Sequence, residues 1–172
     1  MRLRRKEIVE LYIIRHAEAV ARGEGDVNAD ADRPLTERGH AQAHALAPAL
    51  QQHGVRLDVI LTSPLLRARQ TAEDLLEHWD EPKPELRQCE ELAPDVKSGK
   101  LARVLRKLRK EAVALVGHEP DLSAHVGWLI GSKKAQLDVA KAGIARIACA
   151  EPPDKGTGTL VWLVTPEWFL GE

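Results

Sequence analysis

Aromatic side chains and cysteines are scarce in this sequence, and each scarcity excludes a class of protein. Aromatics make up 3% of the 172 residues, so there is no aromatic series on which nucleic-acid bases could stack. The two cysteines, Cys89 and Cys149, are too few for a disulfide framework, and neither belongs to a metal-binding spacing. We therefore expect a reducing compartment and predict a cytoplasmic protein.

An excess of one charge and long apolar runs are also lacking. The formal net charge is -1, without the basic excess that is typical of nucleic-acid-binding proteins. No run approaches about 18 apolar residues, so the sequence predicts no membrane span. Basic residues open the chain, but Glu7 and Glu10 interrupt the apolar stretch that follows, which argues against a signal peptide. We expect neither nucleic acid nor a membrane as a partner.

The residues that are present predict an α/β fold. A hydrophobic fraction of 44% is typical of a globular protein, and the length allows one domain over residues 1–172. Buried strands are predicted at residues 8–14, 58–62 and 112–116. Helices are predicted at residues 36–52, 63–79 and 121–130. The alternation predicts a three-layer α/β/α sandwich with a mostly parallel central sheet.

Five further segments complete this prediction. Residues 17–34 and 80–94 are rich in turn-forming residues and are predicted to be loops. Residues 101–110 place leucine and valine at helical spacing with a basic opposite face, which we expect to be solvated or else to dock an acidic partner. Residues 143–150 and 159–164 predict a late antiparallel hairpin.

Cationic and imidazole side chains follow each of the three buried strands. Arg15 and His16 follow the first strand, Arg67 lies just after the second, and His118 lies just after the third. Ligands of an open parallel sheet bind outside the carboxyl ends of its strands, so we expect these side chains to meet. Such a set lacks the carboxylates or thiols of a metal cage. It suits a dianionic phosphoryl group, because guanidinium groups match phosphate oxygens in bidentate geometry.

This set of residues could transfer a phosphoryl group without a metal ion or a cofactor. One histidine would attack phosphorus, while the other histidine and the arginines neutralise the charge on the equatorial oxygens. The attacking imidazole must be neutral, and a hydrogen bond from its other ring nitrogen to a backbone carbonyl would define its tautomer. The residues alone leave open which carbonyl this is.

Four segments, in this order, resemble the successive signatures of the histidine phosphatase superfamily, which has the phosphoglycerate mutase-like fold. They read LYIIRHAEA, DRPLTERGHAQA, LTSPLLRARQTAE and ALVGHEPDLS, and they extend from Leu11 to about Ser123. The short chain and the second and third segments resemble most closely the SixA-type protein phosphohistidine phosphatases.

The resemblance implies a role for each matching residue. His16 would be the nucleophile that becomes phosphohistidine, flanked by Arg15 and Arg67, with His118 as the second histidine of the phosphate pocket. Arg33 matches an arginine that helps to bind the phosphate or the substrate. Phosphate, or vanadate as its analogue, is therefore expected to bind in this pocket.

The general acid is less well defined by the resemblance. Larger relatives supply it from a glutamate in an inserted segment, and the comparable stretch here offers Glu91, with Glu90 as the alternative. Ser63 could donate to phosphate, although capping of the following helix would also explain a serine at this position.

The sequence departs from the family pattern at two points. The usual RHG triplet reads RHA, so Ala17 brings a methyl group where glycine leaves the backbone open. No long insertion separates Arg67 from Glu91, so we expect no large cap subdomain and an open site. An open site suits a phosphorylated side chain that another protein presents.

The resemblance thus implies a metal-independent phosphatase that hydrolyses phosphohistidine on a protein, such as a histidine phosphotransfer domain or a phosphocarrier. A phosphatase of small-molecule phosphoesters with the same mechanism is one alternative. A non-catalytic module that binds phosphorylated proteins is the other.

One pair of histidines raises the question of a different chemistry. His40 and His44 lie four residues apart on a predicted helix, a spacing that can chelate zinc. No third ligand follows nearby in the sequence, so we expect no metal site.

Overall fold

The computed structural model describes residues 8–24 and 29–171, so the basic opening residues 1–7 lie outside it. Its strands are β1 Ile8–Arg15, β2 Val59–Thr62, β3 Glu85–Gln88, β4 Ala112–Gly117, β5 Ile144–Ala150 and β6 Gly158–Val164. They form one sheet in the order β3-β2-β4-β1-β5-β6. The four strands from β3 to β1 run parallel, and β5 is antiparallel to both of its neighbours. The mostly parallel sheet and the late hairpin are therefore confirmed.

Helices cover both faces of this sheet. They are α1 Glu37–Gln52, α2 Leu66–Glu77, α3 Ser98–Leu108, α4 Asp121–Leu129 and α5 Glu167–Leu170. Leu11 and Ile13 of β1 pack in one apolar cluster with α3 and α4, whereas Tyr12 and Ile14 pack in another with α1 and α2. Successive side chains of a strand point to opposite faces, which is why β1 is apolar at almost every position. The three-layer α/β/α sandwich is confirmed.

The helix starts differ in how well the sequence predicts them. The hydroxyl of Thr36 accepts the backbone N–H of Gly39 and caps α1 as expected. The helix predicted from Ser63 begins instead at Leu66, and its N-cap Leu65 makes no side-chain cap. The capping interpretation of Ser63 is therefore wrong. Its hydroxyl is buried and engaged by a histidine of the site described below.

Strand β3 lies where the sequence predicts a loop. Three of its four residues are exposed, because β3 lies at the edge of the sheet and Leu86 alone among them packs against an apolar cluster. Without apolar alternation, only its ladder with β2 defines it as a strand. The short α5 was likewise not predicted.

The connection between α2 and β3 is short and places no helices over the carboxyl ends of the central strands. Residues 78–84 alone separate α2 from β3, so no cap subdomain is inserted there. Within the described residues, none of the helices has the length and apolar character needed to cross a bilayer.

Candidate active site

Four residues singled out by the sequence lie together at the carboxyl edge of the sheet. Arg15 ends β1 and His16 follows it, while His118 follows β4 directly and Arg67 lies in the first turn of α2. Both β1 and β2 pair in parallel with β4. This pairing places the three strand ends side by side.

The ring of His16 is held in one tautomer. Its Nδ1 lies 2.7 Å from the carbonyl oxygen of Ala17, to which it donates, so the lone pair is on Nε2. Arg67 donates from Nε to that nitrogen across 3.2 Å. Burial, reinforced by the neighbouring cationic side chains, lowers the pKa of His16 to about 3. At neutral pH the ring is therefore uncharged, with Nε2 as its nucleophilic atom.

His118 is oriented by a hydroxyl group. Its ring centroid is 5.2 Å from that of His16, and its Nε2 is 2.7 Å from Ser63 Oγ. That oxygen also accepts the backbone N–H of Leu65 at 3.3 Å, and its own hydrogen can be donated to Nε2. The proton of the ring then sits on Nδ1, which has no partner among the described residues.

Burial is also the main reason that the pKa of His118 is lowered, to about 4. The ring is neutral near pH 7 and offers Nδ1–H as a donor. A buried donor left without an acceptor is costly. An anionic oxygen in the pocket would relieve this cost.

The two arginines of the cluster are anchored by protein oxygens. Arg15 donates from Nη1 to the carbonyl of Val139 across 3.0 Å, and its buried Nε has no partner among the described residues. Arg67, which is 4% exposed, donates to the backbone oxygen of Asp30 at 2.7 Å and to its carboxylate at 3.2 Å. Guanidinium groups fixed in this way are preorganised for an oxyanion.

Asp30 is a site residue that the sequence analysis missed. Its carboxylate accepts hydrogen bonds from Arg33 at 2.9 Å and from Arg22 at 3.1 Å, in addition to that from Arg67. Burial would raise the pKa of Asp30, but the surrounding guanidinium groups prevail and lower it to about 2. An aspartate three residues before Arg33 in the same loop was the signal that could have identified it.

The cationic residues surround a cavity of about 330 Å³. Its walls include the three predicted arginines and both histidines. They also include four ionisable residues that the sequence did not single out: Arg22, Asp30, Glu119 and Lys141. Among the residues that the structure describes, the lining is Arg15, His16, Ala19, Arg22, Asp30, Arg33, Arg67, Pro94, His118, Glu119 and Lys141. Glu119 follows His118 directly in the sequence, so proximity to a site histidine could have indicated it.

The structure does not bring the predicted acid into this cavity. The carboxylate of Glu91 lies 3.5 Å from Cys89 Sγ, and Glu91 is not among the lining residues. Glu90 instead accepts a hydrogen bond from the side chain of Gln88 at 2.8 Å. The acid role of either residue stays a prediction that this placement does not favour.

The methyl group of Ala17 does not obstruct the site. Ala17 is fully buried in a small apolar cluster with Ala19, Leu35 and Ala43. Its backbone N–H donates to Thr71 Oγ1 at 3.0 Å. The methyl group that replaces the glycine of the RHG triplet therefore packs in this apolar cluster. The hydrogen bond to Thr71 connects the backbone at Ala17 to α2.

Comparison with protein families yields one match that covers most of the site. The model of the histidine phosphatase superfamily (branch 1) matches residues 11–120. This interval contains Arg15, His16, Arg33, Arg67 and His118.

Individual relatives match nearly the whole chain. An uncharacterized protein of Picosynechococcus sp. is 37% identical, over 94% of this chain and 99% of its own. The phosphohistidine phosphatase SixA of Escherichia coli is 28% identical, over 92% of this chain and 94% of its own. A solved structure of the protein histidine phosphatase SixA complexed with tungstate superimposes with a TM-score of 0.79 at 27% identity, covering 92% of this chain and 97% of that one.

Proposed function

Because the chain belongs to the histidine phosphatase superfamily, we propose that this phosphatase removes the phosphoryl group from phosphohistidine on another protein. The observation that carries the proposal is the neutral ring of His16, whose Nε2 faces Arg67 while Nδ1 is bound to the Ala17 carbonyl. Arg15, Arg67 and His118 supply the donors around it, and Arg33 extends the cationic wall.

The reaction proceeds by two in-line transfers. In the first, His16 Nε2 forms a bond to phosphorus as the bond between phosphorus and the substrate imidazole breaks, and the released nitrogen takes up a proton. In the second, a water oxygen attacks phosphorus and the bond to Nε2 breaks. The products are inorganic phosphate and free His16, with a proton of the water released.

The residues around His16 act on the charge of the transferred group. Arg15 Nε and His118 Nδ1 are buried and unpartnered among the described residues, so they can donate to phosphoryl oxygens as negative charge spreads in the transition state. Arg67 can transfer its Nε bond from His16 to the phosphoryl group, which frees the Nε2 lone pair for attack.

Two features favour a phosphohistidine on a protein as the substrate. The α2–β3 connection beside the cavity carries no cap subdomain, so a side chain on a large partner can reach it. Imidazole is also a good leaving group once it is protonated, so the reaction tolerates a weak acid. The full-length match to a phosphohistidine phosphatase points to the same substrate class.

A substrate panel tests the proposal directly. We would compare kcat/KM for a phosphorylated histidine phosphotransfer domain with the values for sugar phosphates and phosphoglycerates, with a chelator present throughout. A marked preference for the phosphorylated domain supports the proposal. Preference for a small phosphoester would identify the alternative substrate class, and binding without turnover would indicate a non-catalytic module.

Trapping of the intermediate tests the mechanism separately. Rapid quenching should yield an acid-labile, base-stable phosphoenzyme that is absent from His16→Ala. His53→Ala is the matched control, since His53 is an exposed histidine at the end of α1. Vanadate, which mimics five-coordinate phosphorus, should inhibit. Full activity of His16→Ala would refute the mechanism.

A further inference from the structure

Three metal-ligand side chains converge between α1 and α2, apart from the cavity described above. His40 and His44 lie one turn apart on α1, and Asp74 faces them from α2. His40 Nδ1 is 2.6 Å from one carboxylate oxygen of Asp74, and His44 Nε2 is 3.6 Å from the other. All the ligand atoms lie within 4.8 Å of one another. No third ligand lies near the two histidines in the sequence, but the fold brings Asp74 to them from α2.

We propose that His40, His44 and Asp74 bind a divalent transition-metal ion such as Zn²⁺. Imidazole nitrogens and carboxylate oxygens bind zinc at about 2.0–2.2 Å, and the ligands of a tetrahedral site then lie roughly 3.3 Å apart. In this structure His40 Nδ1 lies 2.6 Å from one oxygen of Asp74, and His44 Nε2 lies 3.6 Å from the other. Side-chain rotation within the 4.8 Å cluster would bring one carboxylate oxygen and both nitrogens to this spacing. Water would complete the coordination.

The arrangement of the two histidines distinguishes this cluster from a simple ion pair. An ion pair with Asp74 would need only one histidine. Here both imidazoles approach its carboxylate, His40 at one oxygen and His44 at the other. His44 is too far from Asp74 for a hydrogen bond, yet it is well placed as a second metal ligand. A pair at positions i and i+4 of a helix can chelate one ion.

The surroundings of the cluster hold it in place while leaving it accessible. The side chain of Asp74 is largely buried, whereas those of His40 and His44 are partly exposed to solvent. His78 stacks on the ring of His44 with centroids 4.1 Å apart. It also donates from Nδ1 to the backbone carbonyl of Asp74 at 3.0 Å. Neighbours that orient the ligands in this way strengthen a metal site.

A bound ion would join α1 to the helix that carries Arg67. Asp74 lies two turns along α2 from Arg67, about 10 Å along the helix axis. Thr71 occupies the intervening turn and bonds to the carbonyl of Arg67 at 2.7 Å. The metal would therefore stabilise the α1–α2 pair without entering the phosphoryl pocket.

Metal binding to the full-length, metal-free protein tests the proposal. Calorimetric titration should show one Zn²⁺ equivalent, and Co²⁺ should give the visible bands of a low-coordinate site. We expect His44→Ala and Asp74→Asn each to weaken Zn²⁺ binding at least tenfold, whereas His53→Ala leaves it unchanged. Zn²⁺ should raise the unfolding temperature of the wild type and of His53→Ala, but not that of His44→Ala.

A second variant separates this site from the catalytic histidines, which could also take a metal. His16→Ala should retain the Zn²⁺ equivalent and its stabilising effect. Loss of binding in His16→Ala, or wild-type affinity in both His44→Ala and Asp74→Asn, would overturn the proposal. Because these readouts do not require turnover, they are independent of the proposed phosphatase activity.

Discussion

The hydroxyl oxygen of Ser63 lies 2.7 Å from Nε2 of His118 and links the end of β2 to the end of β4 across the site. Ser63 does not line the cavity itself. Donation from its hydroxyl to Nε2 would favour the tautomer of His118 that carries the proton on Nδ1. We therefore propose that Ser63 is a positioning residue.

Ser63→Ala should lower kcat about tenfold, the effect of losing roughly one hydrogen bond in the transition state. KM should change little, because the arginines that bind the phosphoryl group are untouched. Thr62→Val is a suitable control, since it removes a neighbouring buried hydroxyl that bonds to a backbone carbonyl and to no histidine. Equal kcat values for Ser63→Ala and the wild type would contradict the proposal that Ser63 positions His118.

Asp30→Asn should lower both kcat/KM and stability. The carboxylate of Asp30 holds Arg67 and Arg33 in position. Its loss leaves the buried guanidinium of Arg67 without its counter-charge, which is destabilising. We expect kcat/KM to fall about tenfold or more and the unfolding temperature to decrease. Asp32→Asn changes an exposed aspartate of the same loop and should behave like the wild type. The proposed role of Asp30 fails if the two variants are indistinguishable in both assays.

Glu119→Gln should impair turnover more than Glu91→Gln does. Glu119 lines the cavity and its carboxylate is held by Ser123 at 2.8 Å and by the backbone N–H of Val139 at 3.2 Å. Glu91 lies against Cys89. Steady-state rates with a phosphorylated histidine phosphotransfer domain provide the comparison, and we expect about a tenfold loss for Glu119→Gln. The opposite order would support Glu91 as the general acid.

The stability of the protein should fall as the pH is lowered from about 7 to 5. An unfolded histidine takes up a proton near pH 6.5, whereas burial keeps the pKa of His118 at about 4 and that of His16 at about 3. The unfolded state thus binds more protons between these values, so acid favours unfolding. The maximal loss is roughly 1.4 kcal/mol per pH unit for each group.

Urea unfolding of the wild type and of His118→Gln checks this dependence. The variant lacks one of the two buried histidines of the site, so its free energy of unfolding should decline less steeply below about pH 6.5. His53→Gln, which alters an exposed histidine, should follow the wild-type slope. Parallel slopes for all three proteins would show that His118 is not held neutral in the folded state.

Much of the fold and the centre of the site could be predicted because both depend on local patterns. A strand buried on both faces is apolar at nearly every position, which makes β1, β2 and β4 visible in the sequence. Arg15, His16 and His118 are adjacent to those strand ends, so prediction of a parallel sheet brings them together. The edge strand β3 lacks such a pattern and was missed.

The sequence by itself therefore determined the layers, the parallel strands and the cationic pocket, through apolar periodicity and the position of polar residues beside it. Only the tertiary structure decided the partners of those residues. It placed Asp30 among the arginines, turned Ser63 toward His118 and brought Asp74 to His44. These contacts join residues far apart in the chain. Their geometry depends on how helices and loops pack, which the helix and strand periodicity of the sequence does not predict.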